Sequence, residues 1–391
     1  MTTAPARPDG PAQPAGHSWI ARLRAIVRAG GPSAAAELGD LLGSARAHLG
    51  AAHPTTLRVA AAAERELSRT RQVDETVAAW SAAHAEAGVS LGPDDPVTME
   101  IASAHLRWLA RRARPDDLRR ALTAQRAELA RRHETLGRHD HWTGVARTDL
   151  VVTLLTLPLL DPDARRTTAE AAELAAEESG RRAAVLGGDH LLTWEARALE
   201  ASARLAAAGA GATARARPEN GPEPGAKAAR ENGPGTGQGV QTALSAGSGP
   251  GGGVAADAGS RAGAGRAGSM GEAAEHALTV AEACMSLGGP LDAGRQIRAA
   301  LLTAEAHLAA GRPGDAERAA RLAAGLSAVR PRPWWGGADP GRPWVVIART
   351  GARADAAGHA ARALSERSRW FPADSLWRVE VTRLLHALDG R

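Results

Sequence analysis

Four arginines recur at a fixed spacing, and their pattern is the clearest sign of binding chemistry in this sequence. Arg65 and Arg69 are followed 42 residues later by Arg107 and Arg111. Because residues four positions apart share one face of a helix, each pair should present two guanidinium groups together. Guanidinium groups form bidentate hydrogen bonds with carboxylates, so the pattern predicts a basic ladder that would bind an acidic peptide. The alternative is a solvated helix face on which the arginines pair with neighbouring glutamates.

Other patterns that could carry chemistry are incomplete. Residues 263–268 match the glycine spacing of a dinucleotide site, but that site needs a strand before the glycines, and here they lie in a glycine-rich run. His133 and Glu134 begin like a zinc-protease helix, but Gly137 occupies the place of the second histidine. A single cysteine, Cys284, excludes an intramolecular disulfide and a multi-cysteine metal site. We therefore predict no enzymatic activity, no cofactor and no resident metal.

A recurring motif separates the elements that must position the arginines. It consists of a Leu-Gly pair, a short polar stretch and a threonine seven residues after the leucine, and it begins at Leu49, Leu91, Leu136 and Leu186. In the second copy, Gly92 is suited to end one helix and Pro96 to open the next. Asp95 then stands where a helix N-cap acceptor is wanted. Repeats of this length predict stacked units of two helices each.

Composition favours an all-α fold. Hydrophobic residues make up 44% of the chain and aromatic residues only 3%, with no tyrosine. Alanine, the strongest helix former, is abundant, whereas the aromatic residues that strands favour are scarce. The sequence shows no signal peptide and no apolar run of membrane-spanning length, so we expect a cytoplasmic protein without a membrane partner. A net charge of +5 over 391 residues does not by itself indicate a nucleic-acid partner.

The motif resembles the long tetratricopeptide repeats of the kinesin-light-chain type, which occur in many bacterial and particularly actinobacterial proteins. The resemblance is carried by "LGAAHPTTL" at residues 49–57 and by "AEAHLAAGRPGDAERAARLA" at residues 304–323. The third and fourth copies depart from it, since both lack the proline: the third has His141-Trp142 and the fourth has Leu191 in its place. The resemblance covers roughly residues 18–207 and 270–389. It implies a right-handed α-solenoid of about six antiparallel helical hairpins that binds proteins or peptides on its concave side.

Composition changes abruptly between residues 209 and 269, where glycine, alanine, proline and serine replace almost all large apolar residues. Such a segment buries too little apolar surface to offset chain ordering, so we expect disorder. The predicted organisation is a disordered tail at residues 1–17, helical repeats at 18–208, the insert at 209–269 and further repeats at 270–391. The simplest account places the insert inside one hairpin, and the alternative is two subdomains on a tether.

A Pro/Gly-rich stretch at residues 329–346 concentrates three tryptophans, Trp334, Trp335 and Trp344. Exposed aromatic anchors are typical of binding hot spots, so these residues are a second candidate site. The alternative is a long connection whose indole rings cover the end of the solenoid.

Together these features predict a non-enzymatic scaffold or adaptor that binds a protein or peptide, possibly an acidic one, in a concave groove. Two alternatives remain open. One is a regulatory sensor that changes shape when it binds a ligand or peptide. The other is a binder of nucleic acid or another anionic polymer through the Arg-rich stretch at residues 107–138. The sequence does not indicate a particular oligomeric state.

Overall fold

A computed structural model describes residues 16–30, 33–160, 165–216, 270–287, 293–329, 339–351 and 353–389. These ranges contain fifteen α-helices and no strand, which confirms the all-α prediction for this part of the chain. The helices are α1 (Gly16–Ala29), α2 (Ala34–Leu49), α3 (Pro54–Leu67), α4 (Val73–Leu91), α5 (Pro96–Arg112), α6 (Pro115–Leu136), α7 (His141–Thr156), α8 (Arg165–Leu186), α9 (Leu191–Ala216), α10 (Met270–Leu287), α11 (Ala293–Ala309), α12 (Pro313–Val329), α13 (Arg342–Thr350), α14 (Arg353–Ser368) and α15 (Leu376–Asp389). A short 3₁₀ helix, Leu157–Leu159, follows α7. None of the described helices is both long enough and apolar enough to cross a membrane.

The Leu-Gly motif ends and begins helices as predicted. Its glycines follow α2, α4, α6 and α8, with φ between 83° and 94°, a conformation that glycine adopts without steric cost. The residue before the next helix accepts a hydrogen bond from a backbone N–H in that helix's first turn. These bonds join Asp95 to Val97 (2.7 Å), Asp140 to Trp142 (2.7 Å), His53 to Thr55 (3.1 Å) and His190 to Leu192 (3.2 Å). The capping prediction is therefore confirmed.

The threonine of each motif has a role that the sequence did not reveal. All four are buried, and each donates a hydroxyl hydrogen bond to a carbonyl at the end of the preceding helix. The bonds run from Thr56 to Ala45 (3.5 Å), Thr98 to Ala87 (3.2 Å), Thr143 to Gly137 (2.9 Å) and Thr193 to Gly187 (2.8 Å). They fix the first turn of α3, α5, α7 and α9 against the end of the previous helix.

Consecutive helices pack against each other along the described chain, and each odd-numbered helix from α1 to α11 also contacts the next odd-numbered helix. The described part therefore contains seven successive pairs and one further helix, where the motif spacing predicts about six hairpins. The difference arises because α13 and α14 carry no Leu-Gly motif. The odd-numbered helices form a continuous row that becomes one wall of the candidate site.

The two helices that flank the glycine-rich insert pack directly on each other. Ala201 and Leu205 of α9 share a buried apolar cluster with Ala274 and Ala277 of α10. This is the arrangement expected if the insert interrupts a single pair of helices. Helix α9 runs to Ala216, beyond the predicted start of the insert at residue 209, and residues 217–269 lie outside the described ranges.

The C-terminal part of the chain returns to the N-terminal half, and we call this packing the closing contact. It joins residues 369–377 to residues 72–73 and 111–114. The Leu376 N–H donates to the Ala113 carbonyl (2.9 Å), and the Trp377 indole N–H donates to the Arg111 carbonyl (3.3 Å). Phe371 and Leu376 belong to the large apolar core that extends through α3–α8. Helices α5 to α15 thereby form a closed circuit.

Candidate ligand-binding cavity

The closed circuit surrounds a cavity of about 940 Å³. Its wall is built from α5, α7, α9, α11, α13 and α15, with contributions from α8 and the 3₁₀ helix. The odd-numbered helices reach it because each packs beside the next, and α15 completes the wall by returning to α5. The packing of each odd-numbered helix beside the next therefore places side chains from distant parts of the sequence around one cavity.

The wall is rich in charge. It contains six arginines and five carboxylates, namely Arg107, Arg111, Arg182, Arg298, Arg342 and Arg349 with Asp149, Glu195, Glu305, Asp339 and Glu380. Hydroxyl side chains and aliphatic side chains lie between them, including Thr153, Ser202, Val152 and Leu199. The cavity thus offers hydrogen-bonding and apolar surface along with the charged groups.

Two arginines of the wall are held by strong ion pairs. Arg107 makes a bidentate contact with Asp149, at 2.8 and 3.1 Å, and this carboxylate raises the pKa of the Arg107 guanidinium. Arg342 donates to Glu305 at 2.7 Å and to Glu380 at 3.3 Å, and the charge of Glu305, followed by that of Glu380, raises the Arg342 pKa. These pairs join α5 to α7, α11 to α13 and α13 to α15.

The remaining pairs complete the frame of the cavity. Arg298 lies 3.2 Å from Glu195, and Arg349 lies 2.8 Å from Glu380. Arg182 and Asp339 pair with partners outside the wall: Arg182 with Glu178 at 2.7 Å, and Asp339 with the buried Arg367. Each of these charges is therefore occupied by an opposite charge.

Arg111 is the exception among the wall arginines, because no carboxylate in the described part of the chain forms an ion pair with it. Its guanidinium lies 5.0 Å from the ring centroid of Trp108, a cation–π distance. Burial, followed by the nearby positive charge of Arg107, lowers the pKa of Arg111 to about 10. The group remains a cation at neutral pH, and it lines the cavity beside the closing contact.

The structure divides the four predicted arginines into two pairs. Arg107 and Arg111 line the cavity, whereas Arg65 and Arg69 do not. Arg65 pairs with Glu100 of the next odd-numbered helix, and Arg69, in the turn after α3, pairs with Glu66 of α3. The contacts of Arg65 and Arg69 therefore match the alternative interpretation, in which glutamates neutralise the arginines.

The tryptophan site is placed differently from the prediction. Trp334 and Trp335 lie outside the described residues. Trp344 lies on helix α13 and not in a loop, because Pro343 takes the first turn of that helix, where its missing N–H is not needed. Its half-buried ring stacks on His359 (centroid distance 5.8 Å) and lies 3.9 Å from the guanidinium of Arg362. Trp344 does not line the cavity.

The sequence analysis did not identify the cavity residues that α11, α13 and α15 contribute. A Leu-Gly pair, Leu287-Gly288, stands before α11 but lacks the threonine of the motif, and α13 and α15 follow no Leu-Gly pair, so the four-copy register did not link their charged residues to Arg107. One signal was available: if the first helix of each pair lines a groove, the charged residues of α11 and α13 become candidates. Only the return of α15 to α5 adds Glu380, and no local pattern encodes that return.

Among the described residues, no group of three or more histidine, cysteine, aspartate or glutamate side chains is arranged to hold a metal ion. The exposed His133 lies 3.1 Å from the guanidinium of the buried Arg147, which also pairs with the buried Glu178. No protein-family model matches the chain, and no curated protein matches its sequence. The resemblance to tetratricopeptide repeats therefore stays a prediction from the motif residues.

Proposed function

We propose that the chain is a non-enzymatic, tetratricopeptide-like module, a right-handed α-solenoid that binds a protein or peptide segment in its central cavity. The observation that carries this proposal is the closed circuit of helices around a space of about 940 Å³. Pockets that enclose small ligands usually measure about 300–1,000 Å³. A cavity at the upper end of that range accommodates a short peptide segment.

The chemistry of the wall suits a peptide. The Ser202 hydroxyl donates its proton to the Ala198 carbonyl (2.9 Å), and its oxygen can accept a hydrogen bond from a bound main-chain N–H. Val152 and Leu199 offer apolar contact to the side chains of the peptide. Most charged groups of the wall are already engaged with one another. They act as a rigid frame, which lowers the entropy lost when a ligand binds. This supports binding more than catalysis.

The closing contact favours a second candidate function, a regulatory sensor. The Arg111 carbonyl accepts the Trp377 hydrogen bond while its side chain faces the cavity, so cavity and closing contact share a residue. A ligand in the cavity would then shift the equilibrium between closed and open circuits in proportion to its differential affinity for the two.

The Arg-rich stretch at residues 107–138 gives less support to a nucleic-acid partner. Every arginine in it except Arg111 forms an ion pair with a carboxylate, namely Arg107, Arg112, Arg114, Arg119, Arg120, Arg126, Arg131, Arg132 and Arg138. Phosphate binding would have to compete with those pairs. A weak dependence of peptide binding on salt is therefore expected, in contrast to the steep dependence of nucleic-acid binding.

A cavity-blocking variant tests the proposal. Heptapeptides selected from a random display library against the full chain would be synthesised and titrated against Val152→Trp. Val152 lies in the wall with 38% of its surface exposed, so the larger side chain has space and projects into the cavity, where it obstructs a bound peptide. We expect Val152→Trp to abolish binding of the selected peptides.

Val89→Trp is the matched control, because Val89 is 91% exposed on α4 and does not line the cavity. It should bind the peptides as the unmodified chain does. Selected peptides that bind Val152→Trp with undiminished affinity would contradict the proposal, as would a library from which no peptide is enriched.

A further inference from the structure

The charge of the cavity wall is unbalanced by one positive group, and that group is Arg111. Four wall arginines pair with wall carboxylates, and the pairs of Arg182 and Asp339 are completed from outside the wall. Arg111 alone among the six lacks a carboxylate partner in the described ranges. The wall thus leaves one guanidinium free for a ligand.

The surroundings of Arg111 explain why a ligand group would gain from meeting it. A desolvated cation without a counter-charge is unfavourable, and Arg107 and Arg298 add positive potential at the same place. Asp149 supplies opposite charge, but its two oxygens are already engaged by Arg107. An incoming anion would restore neutrality with a charge-assisted, bidentate contact to a planar guanidinium.

We infer that Arg111 anchors a single carboxylate of the peptide bound in the cavity, and that the rest of the bound segment is uncharged. The inference rests on the proposed function and names its ligand more closely. One unpaired guanidinium matches one carboxylate. A second ligand charge of either sign would have to break a pair of the frame, such as that between Arg107 and Asp149 (2.8 Å). Apolar and hydroxyl side chains such as Val152, Leu199 and Ser202 fit the uncharged remainder.

The carboxylate has two possible sources in a peptide, the chain end and an acidic side chain, and three synthetic probes separate them. The first is N-acetyl-Leu-Thr-Leu-Thr-Leu as the free acid. The second is its C-terminal amide, which is neutral. The third is that amide with glutamate at the central position. Isothermal titration of the full-length chain with each probe at neutral pH gives the three affinities.

We expect at least one acidic probe to bind about tenfold or more tightly than the neutral amide, the usual contribution of a hydrogen bond to a charged group. The free acid and the glutamate probe then identify the source. In Arg111→Gln this advantage should disappear, while the affinity for the neutral amide should change little.

Arg69→Gln is the matched control, since Arg69 occupies the same register one repeat earlier but lies outside the cavity wall. It should keep the preference for the acidic probes. Thermal unfolding of both variants checks that they fold. If Arg111→Gln does not fold, the ratio of affinities measured on the unmodified chain still decides the question.

Equal affinity of the unmodified chain for acidic and neutral probes would overturn the inference, as would the absence of binding by both acidic probes at millimolar concentration. Persistence of the acidic preference in Arg111→Gln would also overturn it. None of these results removes the proposed function, because that function is decided separately by whether Val152→Trp blocks the library peptides.

Discussion

At the scale of single residues, the distinctive feature of this protein is its fully buried arginines, Arg132, Arg147 and Arg367. Arg132 donates to the carbonyls of Trp142 (2.8 Å) and Met99 (2.9 Å) and pairs with Glu128. A buried cation is tolerated only when hydrogen bonds and an opposite charge replace the lost water. The Arg132 guanidinium thereby connects its own helix, α6, to main-chain carbonyls of α5 and α7.

A pair of histidines makes the stability depend on pH. The rings of His84 and His105 lie 5.6 Å apart between α4 and α5, and the buried Nδ1 of His105 has no hydrogen-bond partner among the described residues. Burial, then the charges of His84 and Arg112, lower the pKa of His105 from 6.5 to about 4. Burial also lowers the pKa of His84.

Acidification should therefore destabilise the fold. Below pH 6.5 the unfolded chain takes up a proton at His105, whereas the folded chain does so only near pH 4. Stability is fully present above about pH 6.5 and falls between that value and pH 4. The difference between the His105 pKa values of the unfolded and folded chains corresponds to roughly 3 kcal/mol of unfolding free energy. Partial exposure of the ring reduces this contribution to about 1–2 kcal/mol.

Urea unfolding at pH 7 and pH 4.5 measures this effect. In His105→Leu the loss of stability on acidification should be smaller than in the unmodified chain by about 1 kcal/mol. His386→Leu, at an exposed position on α15, should retain the full loss. Identical pH dependence in His105→Leu and the unmodified chain would contradict this account.

Sequence periodicity cannot identify these roles. Glu128 and Arg132 are four residues apart, a spacing typical of a solvent-exposed ion pair on one helix. The structure instead buries the arginine completely, because a neighbouring helix covers that face of α6. Whether a charged helix face meets water or another helix depends on packing between units, which no single window of sequence contains.

At the scale of helices, the motif specifies where each element begins and ends, and this was predictable. The glycine with positive φ, the capping aspartate or histidine and the following proline are local requirements of the backbone. Asp95 and Pro96 therefore mark the start of α5 correctly. The last three helices, α13 to α15, follow no Leu-Gly pair, and a buried charged group connects them.

Arg367 is the residue that holds the C-terminal helices together. From α14 it contacts both carboxylate oxygens of Asp339, before α13, at 2.9 and 3.1 Å at its Nε. It also donates to the Trp377 carbonyl and to Glu380 (3.0 Å) on α15. One guanidinium therefore connects three successive elements.

Replacement of Arg367 by methionine should lower the free energy of unfolding by about 3 kcal/mol, because Asp339 would remain buried without its counter-charge. Arg369→Met is the control, since Arg369 is exposed and pairs only with Glu366 among described side chains. It should cost less than about 0.5 kcal/mol. Denaturant unfolding of the two variants compares them, and a loss of equal size in both would refute the role of Arg367.

At the scale of the whole molecule, the closing contact converts a row of helices into a closed circuit. Ala113, at the end of α5, adopts a left-handed conformation (φ 53°) that is costly for a residue other than glycine. Its carbonyl accepts the Leu376 hydrogen bond, so the contact helps to hold this strained backbone in place. Arg114 and Asp374 add an exposed ion pair at 3.0 Å.

This closure could not have been predicted from the repeats. Each unit specifies its packing against the next, and the path of the whole row is the sum of many small rotations between units. The sequence argument therefore identified Arg107 and Arg111, which line the cavity, but not the residues opposite them. Glu380 and Trp377 enter the cavity wall only because the circuit closes.

The central claim is that residues 369–377 meet the end of α5, and cross-linking tests it most directly. Arg114 and Asp374 would be replaced by cysteine in a Cys284→Ala background, which leaves no other thiol in the chain. A short bismaleimide would then be added to the native and the denatured protein. The closed circuit predicts rapid cross-linking within one native chain, identified by peptide mass spectrometry, and its loss in denaturant. A native protein that cross-links no faster than the denatured chain would contradict the account.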